Sequence, residues 1–186
     1  YESLLNQTVT EFEWIIVNDG STDNINDLIS IWKQDSRRKF NLIYLDELNE
    51  GKHISINKGV QESNSELFFI VDSDDYLTND AIEIILEKRK SITPETHAGL
   101  GFCRGYNENT IIGSTFKGNT VDATSLQRRK HNILGDKAEV FFTEILKKYP
   151  FPKFQGENFI TEATVWYKIA NDNYKIRWYQ NIIYIC

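Results

Sequence analysis

With 186 residues, 40% hydrophobic and 26% charged, the chain has the make-up of one folded domain and not of a disordered, collagenous or low-complexity protein. The net charge of −6 disfavours a nucleic-acid binder, whose surface would be basic. No apolar run approaches the ~20 residues that span a bilayer, and Cys103 and Cys186 lack both a disulfide framework and zinc spacing.

The two cysteines therefore read as free thiols of a reducing compartment. No signal peptide opens the chain, so the expected location is the cytoplasm, with peripheral association at the inner membrane face as a further expectation. Methionine is absent throughout and the sequence opens mid-pattern at Tyr1, so an N-terminal element is expected to be missing.

Residues 1–6 read as the last turn of a helix. Glu13–Asp19 is a short apolar run stopped by Gly20, which predicts a buried strand and a turn. Ile25, Leu28, Ile29 and Trp32 follow at helical spacing, with Ser21, Thr22 or Asp23 as candidate caps. Asn41–Leu45 predicts a second strand and Lys52–Gln61 a second helix. Glu66–Asp72 is apolar between its two acids, as a strand covered on both faces would be. Asp80 can cap a helix carrying Ala81, Ile82, Ile85 and Leu86. The β-α alternation over residues 1–95 predicts an α/β fold: a mostly parallel sheet with helices on both faces.

Past Thr93-Pro94 the pattern turns irregular. Ala98–Tyr106 and Thr110–Phe116 predict a hairpin. Residues 117–135 are polar, without a period, and are expected to order only over a ligand. Phe141, Phe142, Ile145 and Leu146 predict a helix over Lys137–Tyr149. Phe151–Phe159 reads as loop, Thr161–Ala170 as helix and Tyr174–Ile185 as extended chain. The expectation is a single domain over 1–186, regular in 1–95 and irregular in 96–186.

Ligands of open α/β sheets bind beyond the carboxyl ends of the strands, and three such ends carry suitable groups. In Val17–Thr22, Asp19 can accept hydrogen bonds from a nucleobase or ribose, although Asp-Gly-Ser-Thr is also ordinary turn chemistry. In Asn49–Gly59, Lys52 at a helix start can reach a diphosphate; Asn57 and Lys58 read as solvated and His53 as a packing or surface residue. In Phe68–Tyr76, a buried strand runs into Asp72, Asp74 and Asp75. An extended backbone would point Asp72 and Asp74 the same way. Repulsion between them would be relieved by a hard cation, Mg²⁺ or Mn²⁺, that completes its shell with phosphate and water.

Taken in series, SLLNQT, WIIVNDGSTD, NEGKHISINKG and FFIVDSDDY resemble the family 2 glycosyltransferases of GT-A fold over roughly residues 3–86. The resemblance implies inverting transfer of a sugar from a nucleotide-diphosphate donor, UDP by likeness, to the hydroxyl of a carbohydrate or lipid-linked acceptor, in cell-surface polysaccharide or glycoconjugate synthesis. It implies that Asp19 contacts the base, that Lys52 lies near the base or diphosphate, and that Asp72 and Asp74 form the metal-holding DxD motif. Residues 1–95 would bind the nucleotide-sugar and 96–186 the acceptor. In Gly156–Ala170 it places Glu162 at the position of the catalytic base, with Glu157 as the fallback; a first-turn acid favoured by the helix dipole would look the same. Ile56 stands where many relatives carry Arg, and the family's first strand, with its Pro-x-Tyr-Asn signature, is not in the sequence. A nucleotidyltransferase or other sugar-nucleotide enzyme, or a non-enzymatic doubly wound binding module, would share the acidic strand ends. The first should also show a Gly-rich basic loop; the second would leave Phe151, Phe154, Trp166 and Trp178 unexplained as anything but core.

Overall fold

The computed structural model describes all residues, Tyr1–Cys186. After a four-residue helix α1 (Glu2–Leu5), strand β1 (Glu13–Asp19), helix α2 (Ile25–Gln34), strand β2 (Asn41–Glu47) and helix α3 (Lys52–Glu62) keep the predicted alternation. β1 and β2 pair in parallel from Glu13↔Asn41 to Asp19↔Glu47. Strand β3 (Leu67–Phe69) opens a second sheet, followed by β4 (Tyr76–Leu77), α4 (Ala81–Arg89), β5 (His97–Asn107), β6 (Thr110–Ile111), β7 (Val121–Ala123), a 3₁₀ turn (Ser125–His131), β8 (Lys137–Phe142), α5 (Thr143–Lys148), α6 (Ala163–Asn171) and β9 (Lys175–Ile185). This sheet runs β3-β8-β5-β9-β4, with β6 on β5 and β7 on β9.

The α/β class holds, but the expected mostly parallel sheet is corrected to a mixed one. Only β1/β2 and β5/β9 are parallel; β3/β8, β5/β8, β4/β9, β5/β6 and β7/β9 are antiparallel. The cause lies in the second half, where β8 and β9 return through the sheet at positions that local alternation cannot foresee.

β3 is shorter than the predicted Glu66–Asp72 because it is paired on one side only, to β8. β1 likewise pairs only with β2. Between their free edges lies an apolar slot of about 380 Å³, lined by Phe12, Ile15, Val17, Phe68 and Phe69 among others. Two strand edges facing across an apolar gap are the geometry that accepts an added strand. α3 roofs the slot. It carries Gly59, where a Cβ would stand 3.3 Å from the Phe68 ring and 3.7 Å from Val17.

The Lys137–Tyr149 prediction divides into a strand and a short helix. Lys137–Phe142 is wedged between β3 and β5, and burial on both faces outweighs the helical spacing of its two phenylalanines. The 117–135 segment is built into the fold: β7 lies on β9, Thr124 and Gln127 form a reciprocal capping box, and the Arg128 guanidinium stacks 5.2 Å from the Trp178 ring. The buried Lys137 ammonium donates to the carbonyls of Ile112, Leu134 and Asp136, which pins the same segment from below. The predicted hairpin forms, but its second strand is only Thr110–Ile111.

The core gathers Leu100, Phe102, Phe141, Ile145, Ile183 and their neighbours around β5, β8 and β9. Trp178 sits in it at 1% exposure, packed against Gly101; a Cβ at Gly101 would stand only 2.2 Å from an indole carbon. Gly101→Ala is therefore expected to cost about 1–3 kcal/mol by overpacking. For a chain of this size that lowers Tm by roughly 2–12 °C. A thermal melt with unchanged Tm would contradict that packing.

Gln7 supplies what Asp80 was expected to supply. Its Oε1 accepts from Ile82 N at 3.1 Å, capping α4, while its Nε2 donates to the carbonyls of Ser3 and Thr78. Asp80 accepts instead from the Thr78 hydroxyl.

Candidate active site

A polar cleft of about 320 Å³ opens where α3, the turn after β3, β5, β8 and the start of α6 converge. Lys52, Asp72 and Glu162, which lie far apart in sequence, meet in it. The Lys52 ammonium sits 2.5 Å from Asp72 Oδ1 and 3.0 Å from Glu162 Oε1. Burial opposes its charge, but the two carboxylates outweigh that and hold its pKa above the ordinary value. Burial likewise resists the Asp72 charge, and Lys52, then Arg104 and Tyr184, hold that carboxyl below its usual range.

Asp72 is also gripped from behind. Its backbone N donates to Tyr184 Oη at 2.9 Å, and the Tyr184 hydroxyl lies 3.3 Å from its Oδ2. Arg104 Nη1 reaches Oδ2 at 3.5 Å while its guanidinium stacks 4.0 Å from the Tyr184 ring. Arg104 and Tyr184 are register partners on β5 and β9, so the sheet aims both at one carboxylate.

The expected side-by-side placement of Asp72 and Asp74 is corrected. The chain turns after β3, with Asp75 N bonded to Asp72 O at 3.2 Å. That turn brings Asp75, and not Asp74, onto Arg104 at 3.8 Å; Asp74 is exposed on the turn and does not line the cleft. The two-residue period applies to extended chain only.

Asp19 does not line the cleft either. Its two oxygens accept from Glu50 N at 2.8 Å and Gly51 N at 3.0 Å, fixing the loop that starts α3. Gly51 has φ 92°, and a Cβ there would strike the Asn158 carbonyl, so this glycine lets the α6 loop close over the start of α3. Asn57, read as solvated, clamps the Phe151 backbone from both sides at 2.9 Å. Lys58 pairs with Glu47 and Glu50, and His53 is buried. Ile56 belongs to the apolar core, so Lys52 is the cation that α3 offers the cleft. Glu157 is exposed and accepts from Phe159 N; the cleft uses Glu162, which stands at the N-terminal boundary of α6.

Arg104, Arg128 and Glu139 line the cleft without having been singled out as site residues in the sequence, and Trp166, noted there among the aromatics, joins them. Lys137 and Glu139 two apart in an apolar stretch are the signal of a strand with one polar face, hidden by the helical spacing that follows. Glu139 lies 3.5 Å from Arg128. Burial pushes its carboxyl up to about 7, against Arg128, Arg104 and Lys137. The folded chain therefore holds this proton more tightly than the unfolded chain, whose glutamate has the ordinary value of 4.5. Stability from this group is complete below that ordinary value and declines as pH rises towards 7. Glu139→Gln, which mimics the protonated acid, is expected to stabilise by roughly 1–3 kcal/mol at pH 8 and to change little at pH 5. Equal Tm gains at both pH values would refute the buried-acid assignment.

An open Mg²⁺ or Mn²⁺ site needs one or two protein carboxylates, the rest coming from phosphate and water. No group of three or more His, Cys, Asp or Glu side chains converges into a closed cage. Asp72 does point into the cleft and already holds a cation, the Lys52 ammonium, as a stand-in. The residues fit a divalent ion that arrives with phosphate oxygens.

The model of the family described as "Glycosyl transferase family 2" matches residues 1–149. Among curated proteins, the chain is 32% identical over 133 residues to a putative glycosyltransferase, EpsH, of Bacillus subtilis, covering 71% of this chain and 36% of that one. It is 32% identical over 111 residues to the poly-beta-1,6-N-acetyl-D-glucosamine synthase of Staphylococcus epidermidis, covering 60% and 26%. The chain thus spans well under two thirds of the length of these relatives. Among solved structures, S. aureus TarS 1–349 superposes over 100% of this chain and 54% of its own, with TM-score 0.75 and 21% identity. Its complex with UDP-GlcNAc gives TM-score 0.70 at 22% identity, over 100% of this chain and 52% of its own. These superpositions establish the GT-A type of fold. No helix is long and apolar enough to cross a membrane.

Proposed function

Because the chain belongs to glycosyl transferase family 2, we propose that its cleft transfers a sugar from a nucleotide-diphosphate donor, a UDP-sugar, to an acceptor hydroxyl with inversion. The observation that carries this reading is the meeting of Lys52, Asp72 and Glu162 at one point. Supporting it, the TarS neighbour was solved with UDP and with UDP-GlcNAc, and one relative is named for a polysaccharide synthase. The acceptor is a carbohydrate or lipid-linked sugar in surface polysaccharide or glycoconjugate synthesis.

Residues 1–95 bind the donor, with Asp19 shaping the base end of the site and Lys52 and the start of α3 meeting the diphosphate. Asp72 would hold Mg²⁺ or Mn²⁺ together with the phosphates, and the ion when bound would neutralise charge on the departing diphosphate; Asp74, on the exposed turn beyond it, lies outside the cleft. Arg104 and Tyr184 keep Asp72 aimed. Residues 96–186 seat the acceptor, and Glu162 takes the proton of its hydroxyl. The hydroxyl oxygen forms its bond to the anomeric carbon on the face opposite the diphosphate. The bond from that carbon to the phosphate oxygen breaks, and its electron pair leaves with the nucleoside diphosphate. No covalent enzyme intermediate is required, so the anomeric centre inverts once.

Transfer to water tests this without knowledge of the acceptor. Proton NMR of a full-length preparation given α-linked UDP-hexoses and Mn²⁺ should show the β-anomer of the free sugar first. The α-anomer appearing first would exclude a single displacement.

A further inference from the structure

Glu162 has one cationic partner, Lys52, whereas Asp72 has Lys52 in front and Arg104 with Tyr184 behind. The two sides differ in permanence. Arg104 is 18% exposed and stacked on a buried ring, while the Lys52 side chain is 48% exposed on a flexible stem. The lysine also crosses the cleft, since it starts on α3 and ties the turn after β3 to the first residues of α6. Partly exposed ion pairs of this kind contribute modestly and exchange easily.

We propose that Lys52 is an internal stand-in for the cation that comes with the donor. In the donor-free protein its ammonium latches Asp72 to Glu162. An arriving nucleoside diphosphate, with more negative charge than either carboxylate, draws the ammonium onto its phosphates and frees both acids together. The inference rests on the cleft being the donor site described above. Two consequences follow from the shared ammonium. The donor must bind before Glu162 is free to meet an acceptor hydroxyl. A divalent cation without nucleotide must displace Lys52, so it binds poorly alone.

Titration of Mn²⁺ alone, in the absence of nucleotide, reads the latch directly. Lys52→Met and Lys52→Gln should each bind Mn²⁺ about tenfold more tightly than wild type, since an ammonium no longer competes for the two carboxylates. Lys52→Arg should behave as wild type. The same Met and Gln variants should bind UDP with Mn²⁺ more weakly than wild type, because a phosphate contact is lost. Mn²⁺ affinity unchanged in both the Met and the Gln variant would overturn the latch while leaving the transferase reading intact. Failure of wild type to bind UDP under any metal condition would instead overturn that reading and, with it, the donor's release of the latch.

Discussion

Replacing Glu162 by Gln is expected to lower sugar transfer by roughly 10²–10⁴-fold, the range for loss of a positioned base, while UDP affinity stays nearly constant. The split follows from position. Glu162 stands at the N-terminal boundary of α6 and lines the cleft. It touches the donor side of the cleft only through Lys52, so its amide keeps the shape of the site but loses the ability to take a proton and the partly exposed charge pair with Lys52, which contributes modestly. Glu157→Gln serves as the contrast: it faces away from the cleft and should leave transfer unchanged. A Glu162→Gln enzyme of normal rate, with Glu157→Gln slow, would pass the role to the fallback residue.

The second large effect is expected at Asp72. Asp72→Asn removes the acid on which Lys52, Arg104 and Tyr184 all converge. Mn²⁺-dependent UDP binding should weaken by at least the roughly 10–100-fold typical of losing a residue that supports a metal site. Asp74→Asn should have a smaller effect, because Asp74 is exposed on the turn and carries none of those partners. Asp19→Asn should loosen the loop before α3, since an amide can offer only one oxygen to the two backbone N–H groups that the carboxylate now satisfies. Calorimetry on the three variants fixes the order. Asp74→Asn weaker than Asp72→Asn in UDP binding would move the metal out along the turn and away from the cleft.

The first half of the fold was legible because its signals are local. β1, α2, β2 and α3 follow from apolar runs, helical spacing and the glycine at 20, and each forms near the expected residues. The second half depends on partners that are distant in sequence. Phe141 and Phe142 carry helical spacing, yet β3 and β5 claim them as strand residues. The site divides the same way. Lys52, Asp72 and Glu162 were each found from the end of a strand or helix or from a motif. Arg104 and Tyr184 gave no local signal, because their role comes from the β5/β9 register. Asp74 misled because extended geometry was carried into what is a turn.

The central claim is that this cleft binds a nucleoside diphosphate through Asp72 and a divalent cation. Isothermal titration of UDP into the wild-type protein, once with Mn²⁺ and once with EDTA, tests it most directly. Saturable one-to-one binding that EDTA weakens strongly, and that Asp72→Asn abolishes in the presence of Mn²⁺, is the predicted result. UDP binding of equal strength with and without the metal, or unaffected by Asp72→Asn, would contradict it.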